Sequence, residues 1–233
     1  MAHILLDRFV RAVPKQFITR LVERQQTLYQ QSIAIAFNES WTSVEALNVL
    51  PYIRRGLMES DFRKSAIECG LKPFDMPHAG ENCSCVMVKA NGLILTAHFV
   101  DGPGQWVRDA KSREQNTAVN KFLNEYADER LLIHPLPKLG RKAIYLNLLH
   151  GGYFANSDSG ILTVDPSSCF LHIVIPEEGS KKYLCNWSAQ EILLAYATAA
   201  DAAVAPQAVE DKAQPRKKIQ SLDVKKKAEG NAE

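Results

Sequence analysis

Apolar and polar positions change rhythm twice along the chain. From Phe9 onward, Val10, Val13, Phe17, Ile18, Leu21, Val22, Leu28 and Ile33 recur at three- and four-residue steps, the spacing of one helix face. Pro14 suits the first turn of a helix and sets residues 1–10 apart as a short piece. Thr42-Ser43-Val44-Glu45 is a capping-box pattern and predicts the start of the next helix. Pro51 is expected to kink or break that helix, Ser60 to cap a third, and Gly70 to end it in a left-handed conformation. Lys72 to Gly80, rich in proline, reads as a connector.

At Cys83 the period shortens to two. The stretch Cys83–Val100, CSCVMVKANGLILTAHFV, predicts two strands joined by Asn91-Gly92. A type I′ turn needs positive φ at both central residues, and Asn-Gly meets that need best. With that turn, Ser84, Val86, Val88, Ala90, Leu93, Leu95, Ala97 and Phe99 share one apolar face, expected to be core. Cys83, Cys85, Met87, Lys89, Ile94, Thr96, His98 and Val100 share the other, with Cys85 opposite His98. A one-residue slip would exchange the faces.

Asp101-Gly-Pro-Gly104 then predicts a loop, and Gln105 to about Ala127 a helix burying Val107, Ala110, Ala118, Phe122 and Tyr126. Strand patterns return at Leu131–His134, Ala143–Leu149, Ile161–Val164 and Cys169–Ile175, the last two flanking a hairpin loop at Asp165–Ser168. Ser188 to Glu191 repeats the capping box and opens a C-terminal helix to about Val204. From Pro206 apolar content falls and charge rises, which predicts a disordered tail.

This order predicts an α+β fold. A helical N-terminal region, residues 1–80, packs on an antiparallel sheet of about six hairpin-connected strands, with an inserted helix and a C-terminal helix, residues 81–205. Residues 206–233 form the charged tail.

Composition adds bounds. With 46% hydrophobic and 23% charged residues, the chain can bury a core without staples. The tail holds seven Lys/Arg against five Asp/Glu, which accounts for the whole net charge of +2. Residues 1–205 therefore carry 21 charges of each sign, giving no bulk attraction for nucleic acid. No apolar run has the roughly 18 residues of a membrane span. The N-terminal stretch is interrupted by Asp7, Arg8 and Arg11, unlike a signal peptide. Five cysteines at irregular spacing then read as reduced thiols, and the expected location is cytoplasmic.

Candidate chemistry is sparse. His78, Cys83, Cys85 and His98 are residue types that ligate zinc, but one residue between the cysteines misfits the usual two to four. Neither a metal nor a cofactor is expected. Cys85 and His98 are the candidates for a nucleophile and its base, without an evident orienting third group. His150-Gly151-Gly152 is similar to an esterase oxyanion loop, but the chain has no G-x-S-x-G, so it reads as a turn ending a strand. P-loop, dinucleotide and H-E-x-x-H motifs are all lacking.

Arg108, Lys111, Arg113, Asn116 and Asn120 cluster on the inserted helix as candidate binding residues, with Trp106 beside them as a stacking surface or a helix anchor. Asn is a weak helix former, and a purely solvated face would use Glu, Lys and Gln instead. The expected function is a cytoplasmic binding or regulatory protein that engages a protein partner through this face. The alternatives are a hydrolase or nuclease around Cys85/His98, and a nucleic-acid-binding protein using the tail and the Arg108 helix.

Overall fold

A computed structural model describes residues 2–38, 42–77, 84–108, 111–124, 143–156 and 162–204. Three helices come first: α1 (Ala2–Ala12), α2 (Lys15–Ala36) and α3 (Ser43–Glu68). Then follow β1 (Lys72–Pro77), β2 (Ser84–Ala90) and β3 (Leu93–Phe99), a crossover containing α4 (Lys111–Thr117), a 3-10 turn (Ala118–Asn120) and α5 (Lys121–Asn124), and β4 (Ile144–Gly151). The chain continues through β5 (Phe154–Asn156), β6 (Leu162–Val164), β7 (Phe170–Pro176), β8 (Tyr183–Ser188) and α6 (Ala189–Val204). Six strands form one mixed sheet in the order β1-β2-β3-β4-β7-β8, and β5 pairs with β6 apart from it. All pairings are antiparallel except β3 with β4. The fold is α+β, with helices packed on a mostly antiparallel sheet.

The local signals behave as their chemistry requires. Asn91 and Gly92 have φ of 44° and 84°, and the ladder pairs Ala90 with Leu93 and Val88 with Leu95. Val86, Val88, Leu95, Ile144, Leu146, Leu148, Ile173 and Trp187 therefore turn to the face that packs on Phe9, Phe17, Ile18, Leu21 and Phe62 of the helices. Phe99, at the end of the same face, is half-buried. Thr42 caps α3, its hydroxyl accepting from Glu45 N while the Glu45 carboxylate accepts from Thr42 N. Gly70 has φ +73°, and the bonds Leu71 N to Ala66 O and Gly70 N to Ile67 O close a Schellman motif.

Other expectations are corrected. Helix α3 runs unbroken through Pro51, and Ser60 lies inside it. The buried positions Ala46, Leu50, Arg54, Met58, Phe62 and Ala66 continue at four-residue steps past the proline. Pro51 itself is exposed, so water can satisfy the carbonyl that it leaves unpaired. The proline-rich stretch from Lys72 is strand β1, tolerated because it is an edge. Asp165–Ser168 makes the expected turn, with Asp165 Oδ1 accepting from Ser167 N at 2.9 Å. It joins β6 of the small sheet to β7 of the large one and is not a hairpin loop. Strand β8 had no sequence expectation. The Leu131–His134 strand, the tail from residue 206, His78 and Cys83 lie outside the described residues. Among the described residues no helix is long and apolar enough to cross a membrane.

Candidate functional site

The face of the sheet away from the N-terminal helices carries the polar chemistry. Cys85 and His98 both lie on it, as the turn register demands. The β2–β3 ladder stops at Met87–Thr96, short of them; Cys85 is aligned with Met76 of β1, and His98 with Leu149 of β4. Cys85 is buried in a cluster with Met87 and Tyr145, against which Phe74, Met76 and Ile94 pack. The Thr96 hydroxyl is the hub beside it. Its oxygen donates to Asn147 Oδ1 at 3.0 Å and stands 2.8 Å from both Tyr145 Oη and His98 Nε2. One hydroxyl has one proton and two lone pairs, so the last two groups donate to it. That assigns a proton to His98 Nε2. Among the described residues no three His, Cys, Asp or Glu side chains gather as metal ligands do.

The expected helix from Gln105 to Ala127 is replaced by a strap and a broken helix. Gln105–Arg108 is neither helix nor strand, and Tyr183 of β8 holds it. The Tyr183 hydroxyl donates to Gln105 O at 2.9 Å and accepts from Val107 N at 3.3 Å, while Trp106 lies against the Tyr183 ring with centroids 4.9 Å apart. Trp106 therefore anchors the strap. Among the described residues, helical structure is present from Lys111. Val107 and Phe122 are buried as expected, Ala118 is exposed, and Ala110 and Tyr126 lie outside the described residues.

Strap, helix and sheet enclose a cleft of about 370 Å³. One wall is Trp106, Val107 and Arg108, a second is Glu114 and Thr117 of α4, and a third is the β7–β8 turn Glu178–Lys181, with Asn147 also contributing. Arg108 is exposed. Lys111 and Arg113 occupy the first turn of α4. Asn116 is half-buried, and Asn120 is fully buried. The cleft thus gathers two cations, Arg108 and Lys181, and two carboxylates, Glu114 and Glu178. A lining with equal numbers of cations and carboxylates exerts no net attraction on a polyanion.

Asn120 has a different role from its neighbours. Its Nδ2 donates to Tyr145 O and Pro176 O, both at 2.9 Å, and its Oδ1 accepts from Tyr145 N at 2.9 Å. It fills the gap where β4 and β7 separate and ties the crossover to the sheet.

Sequence reasoning missed the third wall. Its signal was present: Glu177-Glu178-Gly179-Ser180 between two strand-like runs is a hairpin pattern, and Gly179 has φ +75°. It also missed a buried polar cluster at the end of β4. There Arg54 is 5% exposed, with its guanidinium 3.5 Å from the Phe99 ring centre and 5.3 Å from those of Tyr29 and Phe154. His150 Nδ1 and Tyr29 Oη are hydrogen bonded at 2.7 Å, and Gln25 Nε2 donates to Gly151 O and Phe170 O. Gly151 is required because the Phe170 ring and the Val100 carbonyl occupy the space of a side chain. No local pattern marks Arg54, since its rings come from distant segments.

Burial first, and then the Arg54 cation, push the His150 imidazole down from 6.5 to about 3. The unfolded chain therefore takes up a proton here that the folded chain refuses. The contribution of neutral His150 to stability is complete above pH 6.5 and is lost as pH falls toward about 3, at about 1.4 kcal/mol per pH unit. The His150 ring nitrogens should keep their neutral NMR shifts from pH 7 to pH 5, while denaturant stability falls by about 2 kcal/mol from this group. Protonation of this ring near pH 6.5 would contradict the closed cluster.

Comparison with protein-family models, curated proteins and solved structures finds none that matches this chain.

Proposed function

We propose that this chain is a cytoplasmic binding protein, not an enzyme, which takes a peptide segment of a protein partner into the Trp106–Arg108 cleft. The observation that carries the reading is the convergence at one cleft of Arg108, Glu114 and the 178–181 turn, from three separate segments. A volume of about 370 Å³ accommodates one or two side chains rather than an extended surface. Arg108 is the anchor, because arginine offers a fixed fork of donors and frequently dominates binding energy at interfaces. Lys111 and Arg113 add positive charge along α4, and Asn116 a further polar group; Asn120 acts through the position of the helix.

Display of a random peptide library on the wild-type protein should enrich binders, and Arg108→Ala should weaken them about tenfold or more, equivalent to about 1.4 kcal/mol. Its melting temperature should stay unchanged, because Arg108 is exposed. Failure to enrich any peptide, or binders indifferent to Arg108→Ala, would remove this reading.

A further inference from the structure

The two edges of the large sheet are built differently. Edge strand β1 carries Lys72, Pro73, Asp75 and Pro77; proline cannot donate to a ladder, and charge discourages pairing. Edge strand β8, Tyr183–Ser188, has the sequence YLCNWS, with neither a proline nor a charge. It pairs with β7 on one side, and among the described residues no strand pairs with it on the other. An edge of this length that no described strand covers is a template for another strand.

A second observation lies at the same edge. Helix α6 follows β8 directly and packs on α1, α2, β7 and β8. Its exposed positions include Gln190, Leu194, Ala197 and Thr198, which fall on one helical ridge. Leu194 is 68% exposed, and no charged residue occurs from Ile192 to Ala199. Strand β8 itself and the stretch of α6 from Ile192 to Ala199 are therefore both uncharged, with Lys182 and Glu191 flanking them.

We infer that a second copy of this chain docks here, with β8 pairing antiparallel to β8 of the partner and α6 packing beside its counterpart. A two-fold axis normal to the sheet keeps the helices of both copies on one side, so strand and helix meet their equivalents together. Small residues on α6 allow the close helix approach that this geometry needs. Charge selects a copy of the same chain. Antiparallel pairing sets the Lys182 end of one β8 beside the Ser188–Glu191 end of the other, and both Lys182 and Glu191 are exposed. Two six-stranded sheets become one continuous sheet. The Trp106–Arg108 cleft lies on the other face of the sheet, where Val107 packs with Leu149 and Val174, so this inference does not depend on what the cleft binds.

Sedimentation of the full chain over a concentration series tests it. The wild type should sediment at twice its 26.0 kDa mass. Leu194→Arg should raise the dissociation constant about tenfold or more, with unchanged circular dichroism and melting. Lys182→Glu, on an exposed side chain, should weaken the dimer as well, and Leu47→Arg on α3 should leave it intact. Hydrogen exchange should show β8 amides protected in the dimer and released in Leu194→Arg. A monomer at every concentration overturns the inference, and so does a dimer indifferent to both the Leu194 and Lys182 variants. A monomer with protected β8 amides means that residues 205–233 or a different protein cover the edge, and this too overturns it.

Discussion

Asn120→Ala is expected to destabilise the fold by about 3 kcal/mol or more, which is a large part of the stability of an ordinary domain. The substitution removes the partners of Tyr145 N–H, Tyr145 C=O and Pro176 C=O together. A buried backbone group left unsatisfied costs about 1–3 kcal/mol, and water that fills the gap can recover only part of three such losses. Asn120→Asp separates this role from simple space filling. Its carboxylate can still accept from Tyr145 N–H but faces two carbonyl oxygens with no proton to offer. The variant should be the less stable of the two at neutral pH and should recover as pH falls, because a protonated carboxyl can donate to one carbonyl. This is the sign of a raised carboxyl pKa in the folded state: stability present at low pH and lost as pH rises. Urea unfolding of both variants across pH reads all of this. An Asn120→Ala protein as stable as wild type, altered only in binding, would return Asn120 to the contact surface.

Leu95→Ala should cost about 2–5 kcal/mol, by loss of transfer energy and by the cavity that remains. Leu95 is fully buried on the central strand β3, in the cluster that joins sheet and helices. Strand β3 is flanked by β2 and β4, so the backbone has little freedom to collapse into the space. Ile94→Ala, one residue away on the opposite face and itself only half-buried, should cost clearly less. Equal losses at the two positions would mean that the two faces of β3 are equally packed.

The sequence by itself determined what depends on neighbours within a few residues. The Asn91-Gly92 turn adopts positive φ because those residue types tolerate it best. The turn then assigns the face of each residue on β2 and β3, Leu95 included. The capping boxes at Thr42 and Ser188 and the close of α3 at Gly70 are equally local. Tertiary structure decided the rest, because the partners lie far along the chain. Pro51 stays helical because the stripe from Ala46 to Ala66 packs on both sides of it, outweighing a local preference. Gln105–Arg108 stays out of the helix because Tyr183, more than seventy residues on, takes its backbone bonds. Asn120 and Asn116 are the same residue type on neighbouring turns, yet Asn120 is buried because Tyr145 and Pro176 offer three backbone groups where β4 and β7 separate. Arg54 looks like any surface arginine of a helix until Tyr29, Phe99 and Phe154 close around it. Helix and strand periods report which side of an element is apolar; which polar groups that side meets depends on distant segments, whose arrangement only the packed chain contains.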